Sequence, residues 1–266
     1  MSQDDLRAEP REPALPVDER HSVLVGAIEK MSVPGESKQG VARACRAGET
    51  ARIMRHTGIN PATAEQVSSG AWRTQCQVGD FITFGHYPQG DNDEVQPIEW
   101  QVLRRDCDGL LVVSQYALDC KPYNESRCDI TWSECSLRKW LNSEFIDKAF
   151  DAAERQRIRQ VHLCNPNSHW DSNVPGGPDT DDKVFLLSHD EAEQLFADSA
   201  SRQCRATAYA KNNKAWIADN GMCFWWLRSP GEGTNCAADV YRDGEIFDYY
   251  VDYDLIAVRP ACKIAL

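Results

Sequence analysis

Cys223-Phe224-Trp225-Trp226-Leu227-Arg228-Ser229-Pro230-Gly231, then Ala237-Ala238-Asp239-Val240-Tyr241-Arg242-Asp243-Gly244, then Ala257-Val258-Arg259-Pro260-Ala261, is the stretch that decides how this chain reads. Aromatic and Arg/Pro blocks frame a segment of another character. Nine of the sixteen residues 239–254 are Asp or Tyr, a composition that a folding core does not require. A contact surface does favour it, because Tyr offers a large amphipathic face at low entropic cost. Val240, Ile246, Val251 and Ile256 supply inward positions between the polar ones. In an extended backbone, neighbours of such positions point to the opposite side. This predicts a ligand-binding face made of Asp239, Tyr241, Arg242, Phe247, Asp248, Tyr249, Tyr250, Asp252, Tyr253 and Asp254. Trp225, Trp226, Arg228 and Arg259 read as rigid scaffold behind it, the Trp rings in the core and the Arg side chains fixing loop carbonyls or a carboxylate.

Working outward, the C-terminal two-thirds reads as strands and helices in an α+β order. Phe81, Ile82 and Phe84 suggest a strand. The Gly90–Asp93 and Asp106–Gly109 turns lead to strands at Ile98–Leu103 and Leu110–Ser114, an antiparallel meander. Thr131-Trp132-Ser133-Glu134 has the capping-box pattern, which predicts a helix over Trp132–Leu141, with further helix at Ser143–Phe150 and Ala152–Ile158. Asn165–Asp182 is a long Pro/Gly/Asp loop. Val184–Leu187 reads as a buried strand feeding a helix at His189–Ala197, capped by Ser188 with Glu191. Cys223–Leu227, Ala237–Tyr241, Glu245–Phe247 and Ile256–Arg259 make a closing sheet with an Asp243-Gly244 hairpin turn. Met1–Arg20 is polar and Pro-rich and reads as disordered; His21–Met31 and Gly40–His56 have short amphipathic patterns. The expected division is a tail or adaptor over 1–78 and one domain over 79–266, with the contact segment at 237–258.

Charge and cysteine usage narrow the classes. The net charge is −12, and residues 1–76 are balanced, so the excess lies in the rest of the chain. That argues against nucleic acid as a partner, since such binders carry a basic footprint. It favours an unknown protein or small polar ligand, neutral or basic. No apolar run approaches the ~20 residues of a membrane-spanning helix and the first residues do not resemble a signal peptide, so no membrane partner and a cytoplasmic location are expected. Eleven Cys without CxxC spacing read as free, mostly buried thiols rather than a zinc site or a disulfide framework. Asp179-Thr180-Asp181-Asp182 lacks calcium-loop spacing, and no phosphate loop or Ser/His/Asp arrangement is present. No cofactor, metal or catalytic residue is therefore expected.

The frame resembles a bacterial domain of unknown function with a WWLRSPG…AAxVxxDG…VRPA signature. Gly79–Gly85, Pro97–Leu103, Ala117–Asn124, Leu137–Asn142, Asp182–Ser188 and Ala206–Ala210 match its other blocks. That domain is similar to the C-type-lectin fold of the formylglycine-generating-enzyme type, a fold shared with the variable proteins of diversity-generating retroelements. The resemblance implies a non-catalytic ligand-binding protein whose variable side chains lie between fixed inward positions. Two other readings remain open beside it. One is an oxidase or modifying enzyme of the formylglycine-generating type, which uses a C-terminal Cys pair with copper; Cys223, Cys236 and Cys262 lie in that region but match no motif. The other is a structural module of a phage or cell surface.

Overall fold

A computed structural model of the protein describes residues 76–266. The readings for Met1–Arg20, His21–Met31 and Gly40–His56 lie outside the described residues. The described part is α+β. Phe81–Pro88, Val95–Arg105 and Gly109–Ser114 pair successively as an antiparallel meander. The turn at Gly90–Asp93 places Asn92 and Asp93 at φ 57° and 59°, a conformation that Asn and Asp tolerate better than other side chains. The meander does not end at its third strand. Ala261–Ala265 pairs antiparallel with Gly109–Ser114 and carries Ile158–Arg159 and Val184–Phe185 further along. The C-terminal strand thus sits inside the first sheet, not the closing one.

The second sheet runs in the order Ile246–Tyr250, Cys236–Val240, Trp225–Pro230, Ala257–Val258, Asp119–Cys120. Trp225 pairs parallel with Ala257, and the other pairings are antiparallel. Every residue of Trp225–Pro230 and of Cys236–Val240 is buried. Gly244, at φ +86°, closes the hairpin between the strands Cys236–Val240 and Ile246–Tyr250; a Cβ there would meet the Ser199 carbonyl at 1.7 Å. Two short ribbons complete the fold, Val161–Leu163 with Thr180–Asp182 and Cys204–Arg205 with Met222–Cys223.

The helices are short. Ser188 caps His189–Leu195 through the expected box: its Oγ accepts from Glu191 N at 3.1 Å, and Glu191 Oε2 accepts from Ser188 N at 2.9 Å. The box read at Thr131 does not form. The helix begins at Ser136, where the Cys135 sulfur accepts from Arg138 N, and continues through a π-helical turn at Leu141–Phe145 into Ile146–Ala149. The physical reason is Trp132. Its ring is buried and its indole N–H donates to Asp182 Oδ2 at 2.9 Å, which holds residues 131–134 in a turn. Arg138 grips the same carboxylate with Nη2 at 2.7 Å. Asp151, which the sequence reading passed over, makes a true capping box with Glu154 ahead of Ala152–Arg157.

Candidate functional site

The frame is built first. Trp225 and Trp226 are fully buried, each with its indole N–H satisfied, by Arg202 O at 3.2 Å and Lys121 O at 3.0 Å respectively. Buried indoles need such partners, because an unmade hydrogen bond in the core is expensive. Arg228 donates to Leu186 O at 2.9 Å and Cys164 O at 3.4 Å and pairs with Glu191, so it ties the Ser188 capping box to the closing sheet. Arg259 donates to Ser114 O at 2.9 Å and stacks over Trp225, 4.9 Å from the ring centroid. Gly231 completes the block. A Cβ there would meet Asp248 Oδ2 at 2.5 Å, an oxygen that accepts from the Glu232 N–H at 3.0 Å.

The Asp/Tyr segment does not form one exposed face. It divides into three parts. Asp239 is corrected outright: it lies between Trp226 and Phe247 in the pairing and is 0% exposed. Neither carboxylate oxygen meets a hydrogen-bond partner among the described residues. Burial, with a smaller contribution from Asp248, holds its pKa well above the ordinary carboxylate value, which keeps the acid protonated. Tyr249 is also buried, at 6% exposure, stacked on Tyr253 with centroids 4.4 Å apart. Alternation failed at Asp239 because the strand Cys236–Val240 is covered on both faces, so both sets of its side chains point into protein.

The second part is an aromatic ladder. Trp216 stacks on Phe224 (4.7 Å, 14°), Phe224 on Tyr241 (4.4 Å, 13°), and Phe247 meets Tyr241 edge-on (5.6 Å, 77°). The Arg242 guanidinium lies 5.3 Å from the Tyr241 ring and 5.8 Å from that of Trp216. Phe224 is buried between half-buried Trp216 and Tyr241, and Phe247, at the far end beyond Tyr241, is 47% exposed. Offset and edge contacts of this kind add to plain area burial and hold rings in fixed orientation. Burial first, with Asp243 adding to it against the Arg242 charge, raises the Tyr241 phenol pKa.

The third part is an ion-paired rim. Arg127 donates to Asp252 Oδ1 at 2.9 Å and lies 3.8 Å over the Tyr250 ring; Lys214 reaches Asp254 Oδ2 at 2.7 Å. Six acids and one Arg between 237 and 258 give a sequence charge of −5. These two imported cations offset two of those charges, and the raised pKa of Asp239 disfavours a third. The sequence reading missed Trp216, Phe224, Arg127 and Lys214 because each arrives from a distant part of the chain; the Phe224 ring was visible only as part of the frame.

Ten cysteines fall among the described residues, and all are free. Cys204 and Cys223 face each other across their ribbon. The hydrogen bond between them, and then burial, hold the Cys223 thiol up; burial also raises Cys204, but the same hydrogen bond and the nearby Arg259 charge draw it down. The C-terminal grouping considered from sequence does not assemble around this pair: Cys223 pairs with Cys204, while Cys236 lies beside Asp248 and Cys262 in the first sheet. Because Cys204 and Cys223 are both buried, a substrate thiol has no approach to them, and they do not fit a copper centre that oxidises substrate cysteine.

These features define an α+β domain with a rigid Trp/Arg frame and a half-exposed aromatic ladder at the edge of its closing sheet. Residues 108–266 match the family described as Domain of unknown function (DUF6273), and the chain belongs to that family. The strands Phe81–Pro88 and Val95–Arg105 precede the matched region; the second pairs with its strand Gly109–Ser114, and the first pairs with the second. No curated protein and no solved structure matches the chain. Among the described residues, no helix is long and apolar enough to cross a membrane.

Proposed function

We propose that the domain is a non-catalytic ligand-binding module on a C-type-lectin-like frame, its partner a neutral or mildly basic protein surface. The observation that carries this reading is the ladder Trp216–Phe224–Tyr241–Phe247, whose stacked inner rings hold an exposed Phe in one orientation. Preorganised aromatic anchors lower the ordering cost of binding and are typical hot spots. The segment's reduced negative charge assigns a smaller role to ionic attraction than composition alone suggested. The resemblance to retroelement variable proteins fits the same reading: exposed positions such as Phe247 tolerate change because the Trp225, Trp226, Arg228 and Arg259 frame holds the backbone.

Selection of a displayed peptide library against the full chain tests the reading. Selected peptides are expected to be aromatic or apolar, and their binding to change little between low and physiological salt, because screening acts on exposed charge. A selection dominated by polybasic peptides released by salt would contradict it. A reverse-transcriptase gene beside the coding sequence, with a second copy of the 3′ segment differing at adenines, would support the diversification role; its absence would remove that role and leave ligand binding standing.

A further inference from the structure

We infer that His162, Cys164 and Asp179 form a binding site for a divalent transition-metal ion of the zinc class, at the neck of the loop 165–178. The ribbon Val161–Leu163 with Thr180–Asp182 creates the arrangement. His162 lies on the strand Val161–Leu163 and Cys164 one residue past its end. Asp179 lies one residue before the opposing strand. One donor atom from each of the three lies within 4.8 Å of the others.

The details match a metal better than an ion pair alone. His162 Nε2 and Asp179 Oδ2 are 3.4 Å apart. Zinc bonds of about 2.0–2.1 Å in tetrahedral geometry put neighbouring ligand atoms about 3.3 Å apart. The other ring nitrogen, Nδ1, is 3.0 Å from Asp181 Oδ1, the carboxylate support that orients most metal-bound histidines. The second oxygen of Asp179 accepts from Asn165 N at 3.0 Å, and the Cys164 carbonyl accepts from Arg228 at 3.4 Å. Two of the ligand-bearing residues are thereby tied to the surrounding backbone and the buried frame. A His162–aspartate ion pair explains three of these groups and leaves Cys164 without a role. An N, S, O donor set suits zinc-class ions and not calcium, which requires oxygen ligands.

His162, Cys164 and Asp179 are all exposed, so the ion would exchange with solvent, and three protein ligands leave a fourth position for water or a partner's donor atom. Another cluster, His169, His189 and Asp190, carries less: its two imidazoles stack at 4.1 Å and 15°, so their lone pairs lie in nearly parallel planes and do not converge on one ion.

Alkylation of the full chain, stripped of metal and followed by mass spectrometry with and without added Zn²⁺, tests the site. Cys107 and Cys128 are also exposed and serve as internal references. Zn²⁺ is expected to slow modification of Cys164 by about tenfold or more, because the bound thiolate is no longer free to attack, and to leave the two reference thiols unchanged. His162→Ala and Asp179→Asn should each abolish the protection, and Asp181→Asn should raise the zinc concentration needed by about 10–100-fold. Circular dichroism of each variant establishes that the fold is retained. Added Co²⁺ should give a thiolate charge-transfer band that Cys164→Ser removes. Equal modification of Cys164 with and without Zn²⁺ would overturn the inference, as would protection that persists in a His162→Ala/Asp179→Asn double variant.

Discussion

Two neighbouring strands of the closing sheet, Cys236–Val240 and Ile246–Tyr250, both carry residues of the Asp/Tyr-rich segment and have opposite fates. The first has a neighbour on each side, Trp225–Pro230 and Ile246–Tyr250, and all five of its residues are buried. The second is the sheet's edge, and only Tyr249 among its five is buried. Composition is therefore a poor guide to exposure when it is not combined with strand order. An Asp on the inner strand becomes a neutral core acid, whereas a Phe on the edge strand becomes the exposed end of a ladder.

The largest effect should come from the frame that separates the two strands from the rest of the core. Trp226→Ala should lower stability by about 3–5 kcal/mol, since truncating a fully buried aromatic removes its burial and leaves a cavity. Denaturant unfolding measures this, and an unchanged midpoint would remove Trp226 from the core.

Asp239 gives the next effect, and its sign differs from that of most carboxylates. The folded-state pKa is raised, so the folded state holds a proton that the unfolded state has released once pH passes its ordinary value near 4. Stability from this group is fully present below that value and is lost as pH rises toward the folded pKa, at up to about 1.4 kcal/mol per pH unit. Asp239→Asn should flatten that part of the stability profile. Parallel profiles for the wild-type and variant proteins would show that Asp239 is not a buried neutral acid.

On the edge strand the expected changes are smaller. Tyr249→Ala should destabilise more than Phe247→Ser, because Tyr249 is buried and stacked while Phe247 is half in solvent. Phe247→Ser should shift stability by about 0.5 kcal/mol or less, as surface substitutions usually do. Equal losses for the two would erase the distinction between ladder tip and core. Arg127→Ala should change stability by less than about 1 kcal/mol, since its ion pair with Asp252 is exposed to water and screened. A larger loss would place the rim within the structural frame.

Much of the fold was legible because the decisive signals are local. The Gly90–Asp93 and Asp106–Gly109 turns marked the meander, and Ser188 with Glu191 marked a helix start. The signal at Thr131 was equally local and failed, because the buried Trp132–Asp182 hydrogen bond outweighed a cap worth about 1 kcal/mol. Ala261–Ala265 carries no alternating pattern of its own, and its place is set by a partner strand some 150 residues earlier. The candidate site shows the same limit. The Asp/Tyr bias pointed to the right segment, but the ladder needs Trp216 and Phe224, and the metal cluster needs residues 162, 164 and 179 brought together by ribbon pairing. Neither convergence has a signature in linear spacing.

On the proposed reading, the exposed end of the ladder binds a partner while the rest of the segment supports it. Affinity of one selected peptide for the wild-type protein and for Phe247→Ser, measured by titration calorimetry with melting curves for both, tests it most directly. Loss of an aromatic hot spot is worth about 2 kcal/mol or more, roughly 30-fold in affinity. The expected result is a loss of that size with an unchanged melting curve. Undiminished affinity in folded Phe247→Ser would contradict the claim.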